Sequence, residues 1–125
     1  MQMDRIRTYC LGFPETRENL QWGDVLCFKV SHKIFVTLGL DRVPETICLK
    51  CSPPDFAELI ERQGVSPAPY LGRFGWVQLE GFDLLRPSEL ENLIERSYRL
   101  VAAKTKTAGR RGEKSSPGKK NKPLQ

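Results

Sequence analysis

Apolar residues recur at spacings of three and four from the start of the chain, at Met3, Ile6, Cys10 and Phe13, with Tyr9 beside them. That period puts one stripe on a helix over about Met3 to Leu11, which Gly12 and Pro14 end. The pattern then shortens. NLQW, VLCFKV, KIFVTLGL, ETICLK and, much later, WVQLE are brief runs rich in β-branched and aromatic residues, parted by Gly, Asp, Ser or Pro. They predict an antiparallel meander whose fifth strand arrives late. Helical spacing returns twice. Ser52 suits a helix cap, with Pro53 at the first helical position and Phe56, Leu59 and Ile60 as the stripe before Gly64. From about Pro87 to Lys104, Leu90, Leu93, Ile94, Ser97, Tyr98 and Val101 trace one helix face, leaving Glu89, Glu91, Glu95, Arg96 and Arg99 largely outside. The fold class that results is α+β: an antiparallel sheet of about five strands with N-terminal, middle and C-terminal helices packed on one face.

Slipping a hairpin by one residue turns every side chain to the opposite face, so register decides which residues reach solvent. Ser31-His32 as a two-residue turn would group Phe28, Val30, Lys33 and Phe35, and it lacks the glycine such turns favour. A three-residue loop of Val30, Ser31 and His32 instead sets Lys29 opposite Lys33. It gathers Leu26, Phe28, Ile34, Val36, Leu38 and Leu40 on one side, the expected core. The other side then carries Cys27, Lys29, Lys33, Phe35 and Thr37, joined by Cys48 and Lys50. In the late strand Val77 and Leu79 turn inward and Trp76, Gln78 and Glu80 turn out. An antiparallel sheet can leave one face in water, so three lysines beside Phe35 and Trp76 form the candidate ligand surface.

Charge sharpens this picture. The chain of 125 residues has material for one core, and its net charge of +5 is unevenly spread. From Lys104 onward stand eight basic residues and one acid, whereas positions 1–103 hold twelve basic and fourteen acidic residues. The reading is a single α+β domain over 1–103 and a basic tail over 104–125. With one leucine and no aromatic residue, the tail cannot offset the ~1–2 kcal/mol per residue that ordering a backbone costs, and it reads as disordered. It serves either as a solubilising extension or as an electrostatic tether to phosphates. No apolar run reaches the ~18 residues needed to span a bilayer, and the opening MQMDRIRTYC is charged. Neither an anchor nor a secretory signal is expected; a cytoplasmic monomer with reduced thiols is.

Cys48 and Cys51 are spaced C-x-x-C, but structural zinc takes four tetrahedral ligands and the chain adds only two distant cysteines and His32. On one strand, residues three apart point to opposite faces and cannot chelate one ion. A thioredoxin-like site would place the first cysteine at a helix start, whereas here only Cys51 adjoins one. No metal and no cofactor is expected. GLDRVPE and GRFGWV lack the spacing and the Lys-Ser/Thr pair of a phosphate loop, and no Ser, His and Asp set surrounds Ser31-His32. Enzymatic catalysis is not expected.

YCLGFP at 9–14, the acidic run and WGD after it, FKVSHKIFVTL at 28–38, LKCSPPD at 49–55, PAPYLGRFGWVQL at 67–79 and LENLIERSYRLV at 90–101 together resemble the MmcQ/YjbR family of small bacterial proteins. The resemblance implies a fold similar to the frataxin/CyaY arrangement and a DNA-binding module with a double-wing motif. By position it carries over Lys29, Lys33 and Lys50 from the lysines of FKV, HK and LK, and Tyr70, Arg73 and Trp76 from the aromatic-basic segment. Ser31-His32 stands where relatives commonly have glycines, Cys48 where many have Asn, and Phe74-Gly75 where a number show histidine.

The expected function is a non-enzymatic nucleic-acid-binding module for DNA or RNA. Its site would be Lys29, Lys33, Phe35, Lys50, Tyr70, Arg73 and Trp76: cations pairing with phosphates, Phe35 and Trp76 stacking on bases. The acids would have to lie on the helical side. The alternatives are an adaptor that docks another protein on the open sheet face, or a small-molecule-binding domain in which Arg73 faces a cavity.

Overall fold

The computed structural model describes residues 1–109; positions 110–125, most of the expected tail, lie outside the described residues. Three helices, α1 (Met3–Leu11), α2 (Pro53–Leu59) and α3 (Pro87–Gly109), accompany six strands. These are β1 (Thr16–Gln21), β2 (Val25–Val30), β3 (Lys33–Gly39), β4 (Thr46–Lys50), β5 (Val65–Pro67) and β6 (Trp76–Glu80). All pairings are antiparallel in the order β1-β2-β3-β4-β6-β5, so WVQLE sits between β4 and a short edge strand. Both edges read poorly in sequence for physical reasons. β5 has three residues and ends in Pro67, which an edge tolerates because one side needs no donor. β1 begins at Thr16 within a charged run, as edges that resist further pairing do. Among the described residues, no helix is long and apolar enough to cross a membrane.

Cross-strand pairs place Leu26 opposite Leu38, Phe28 opposite Val36, Leu38 opposite Ile47, Val36 opposite Leu49, Leu49 opposite Val77 and Ile47 opposite Leu79. One sheet face is therefore aliphatic across four strands. It meets Ile6 and Cys10 of α1, Leu59 of α2, and Leu90, Leu93, Ile94 and Val101 of α3 in one buried cluster. Each large side chain fully buried there contributes ~1.5–3 kcal/mol. Ser52 caps α2 by accepting the Asp55 N–H at 3.3 Å, as its sequence position predicts.

The β2–β3 hairpin differs from the sequence reading. Val30 pairs with Lys33, so Ser31-His32 is a two-residue turn after all. Ser31 takes a positive φ of 58° without being glycine. Its N–H donates to the Glu15 carbonyl at 2.9 Å and its hydroxyl lies 3.3 Å from the Glu15 carboxylate, contacts that hold the uncommon backbone in place. Register then shifts: Lys29 faces Ile34 but Phe28 faces Val36, leaving Phe35 as the extra residue of a bulge. The bulge inverts the expected alternation. Ile34 shares a side with Lys29, and Phe35 enters the core.

Phe35 is fully buried, edge-on to Phe13 and Tyr98 at centroid distances of 6.3 and 5.4 Å, while Phe13 and Tyr98 stack at 4.6 Å. Beyond Val36 and Leu49 the β3–β4 ladder stops, and Ser97 of α3 enters the fork. The Lys50 N–H donates to Ser97 Oγ at 3.0 Å, and the Ser97 hydroxyl donates to the Phe35 carbonyl at 2.6 Å. Fully buried, Ser97 satisfies two backbone groups that the parting strands no longer offer each other.

Candidate nucleic-acid interface

The bulge and the fork decide which expected site residues come together. Phe35 is a correction: it is a core residue with no ring face in solvent. Trp76 is a second one. It projects away from the helices, opposite Lys50, yet only 8% of it is exposed. The chain returns alongside it, with the Ala68 N–H donating to its carbonyl at 3.0 Å and its own N–H donating to the Leu71 carbonyl at 3.3 Å. Neither aromatic offers the stacking surface expected from the strand pattern. Lys29 stays on the open face between Arg17 and Ile34, two strand spacings, roughly 10 Å, from β4.

The remaining expected residues gather at the end of the sheet where β3 and β4 part. Lys33 opens β3 and Lys50 closes β4. Lys104 of α3 reaches Lys50: it lies seven residues beyond Ser97, two turns along the same helix face, about 10.5 Å. Burial first, then the adjacent Lys104 and Lys33, lower the Lys50 pKa to about 8. Three amines from three elements thus crowd one spot. Lys104 is the residue the sequence reading misses, because it is counted with the tail; α3 instead continues through it to Gly109.

The loop between β5 and β6 borders this spot. Its Gly75 carbonyl accepts the Cys51 N–H at 2.8 Å, immediately after Lys50. Gly75 has φ 88°, and a Cβ there would stand 2.9 Å from the Cys51 carbonyl oxygen, so both backbone shape and space require glycine. The loop carries Tyr70, 96% exposed at a positive φ of 65°, and Phe74, 55% exposed. The Arg73 guanidinium lies 4.9 Å over the Phe74 ring, a cation–π contact. Exposed rings are therefore present, but they are Tyr70 and Phe74. Phe74 escapes a strand-pattern reading because it sits in a 3₁₀ turn, Gly72–Phe74.

Charges divide by residue type. Arg7 pairs with Glu18, Arg62 with Glu58 and Glu89, Arg96 with Asp55, Arg99 with Glu95 and Arg5 with Glu91. At least one partner of each pair belongs to a helix, so many of the acids are occupied on the helical side. The Arg7 guanidinium holds the Glu18 carboxyl below its ordinary range. Among the described residues no lysine pairs with a carboxylate. The thiols stand apart from this site: Cys51 joins the core, while Cys48 points the other way, 3.7 Å from Gln78 Oε1. Burial pushes Cys10 and Cys51 up to about 12.

The YjbR family model matches residues 11–100. The chain belongs to the YjbR family. Among solved structures it is similar to the Deinococcus radiodurans protein DR2400, which carries a DUF419 domain: 25% identity, TM-score 0.75, covering 83% of this chain and 80% of that one. A Pseudomonas syringae protein is similar in its crystal structure at 23% identity and TM-score 0.68, covering 81% of this chain and 99% of that one. A solution structure of a P. syringae protein gives 23% identity and 0.64, covering 81% and 93%. No curated protein matches the chain.

Proposed function

We propose that this YjbR-family domain is a non-enzymatic nucleic-acid-binding module whose interface is the forked end of the sheet. One observation carries the reading. Lys33, Lys50 and Lys104, none paired with a carboxylate, converge beside a loop that presents Tyr70, Arg73 and Phe74 to solvent. Unpaired amines supply phosphate contacts, and exposed rings supply faces on which bases stack, each worth ~1–3 kcal/mol. The strong share of acids held by arginines of the helical side lessens their repulsion of a polyanion at this end.

A titration of the full chain with single-stranded DNA and RNA across ionic strengths tests the reading. Binding through phosphates weakens as a power of salt concentration. Binding that resists salt, or none, argues against it. A second reading, docking of another protein, is favoured by the opposite end of the sheet. There Trp22 is 80% exposed, Leu20 55% and Val43 101%, and exposed tryptophan is typical of binding hot spots.

A further inference from the structure

The three-amine cluster invites a narrower assignment than general attraction to phosphates. Lys33 comes from the β2–β3 hairpin, Lys50 from the end of β4 and Lys104 from α3, and the hydrogen bonds of Ser97 fix the last two elements against each other. Among the described residues these amines have no carboxylate partner. Like charges held together by the fold are relieved by an anion between them, and lysine suits phosphate as a mobile point charge. We propose that Lys33, Lys50 and Lys104 form a seat for one dianionic phosphate monoester, such as the 5′-phosphate end of an oligonucleotide. This deepens the nucleic-acid reading and rests on it for the oligonucleotide source; free phosphate shares the same chemistry.

Charge count selects the monoester. A backbone diester carries one negative charge and would leave two of three ammoniums uncompensated, whereas a monoester, with its second pKa near 6, brings about two charges at neutral pH. The charged groups that act on Lys50 are Lys104 from α3 and Lys33 from β3. An anion among them favours the protonated amine, so binding takes up a proton near and above pH 8, and affinity falls as pH rises through about 8.

The test compares one oligonucleotide with a 5′-phosphate against the same strand with a 5′-hydroxyl, and inorganic phosphate alone, by calorimetry on the full chain in two buffers of different ionisation enthalpy. The phosphorylated end should bind about tenfold tighter at neutral pH. The advantage should fade above pH 8 and disappear in Lys50→Met and in Lys104→Met; Lys104 is exposed, so that variant does not threaten folding. Equal affinity for both ends, or a preference that survives both variants, overturns the seat while leaving nucleic-acid binding intact. Phosphate binding with proton uptake but no oligonucleotide binding supports the seat as a free-phosphate site and overturns the nucleic-acid reading. Binding of neither phosphate nor the phosphorylated end overturns the seat.

Discussion

The helical side and the forked end of the sheet handle positive charge in opposite ways. On the helical side the cations are arginines, each locked to a carboxylate: Arg96 to Asp55, Arg99 to Glu95, Arg62 to Glu58 and Glu89. At the fork they are lysines with no such partner, pressed close enough that Lys50 is lowered to about 8. Planar guanidinium groups satisfy carboxylates with fixed geometry, whereas ammonium groups on flexible stems stay available to an external anion. Paired charge marks a surface that has settled its electrostatics internally. Unpaired charge held together by the fold marks one that has not.

The sharpest way to break this contrast is to loosen the fork itself. Phe35→Ala removes a fully buried ring in contact with Phe13 and Tyr98, and a loss of about 3–5 kcal/mol in chemical denaturation is expected. A loss below about 1 kcal/mol would show that Phe35 is not the core residue described. Ser97→Ala comes next. It leaves the Lys50 N–H and the Phe35 carbonyl without their bridge, costing about 1–3 kcal/mol by the same measurement. Because Ser97 positions α3, this variant should also weaken the monoester preference; a merely stabilising role would leave that preference unchanged.

Smaller effects separate the two kinds of cation. A lysine whose folded pKa lies below its unfolded value binds fewer protons folded than unfolded, so its penalty is fully present below about pH 8 and is relieved as pH climbs toward the ordinary value of 10.5. Wild type should therefore gain stability over that window relative to Lys50→Met, read from denaturation midpoints at each pH. Parallel pH curves would show that Lys50 is not crowded. At the bottom of the scale, Arg99→Ala breaks an exposed helix pair with Glu95 and should shift stability by no more than about 0.5 kcal/mol. Nucleic-acid binding should not change.

The sequence exposes the layers of this fold more readily than its register. The stripe of α3 from Leu90 to Val101 and the alternation of Leu26, Phe28, Val36 and Leu38 are visible because period follows directly from helix and strand geometry. Phe35 is misplaced because a bulge adds one residue without changing composition, and the Ser31 turn is hidden because Glu15, distant in sequence, supports its backbone. Trp76 points outward as its alternation indicates, but its burial depends on a loop that no strand pattern contains. Lys104 reads as tail because charge runs carry no signal of where a helix stops. Lys33, Lys50, Tyr70 and Arg73 emerge from sequence as candidates, and their meeting place emerges from the fork that Ser97 holds open.

The central claim is that the unpaired lysines at the fork carry phosphate binding. The direct measurement is the salt dependence of single-stranded oligonucleotide affinity for wild type and for three full-length variants: Lys33→Met/Lys50→Met/Lys104→Met, Tyr70→Ala/Phe74→Ala and Arg96→Ala/Arg99→Ala. Loss of three phosphate contacts should flatten the logarithmic salt slope by about 2. Loss of the two rings should weaken binding with little change in slope, and the arginine variant should match wild type. A lysine variant with unchanged affinity and slope would contradict the account.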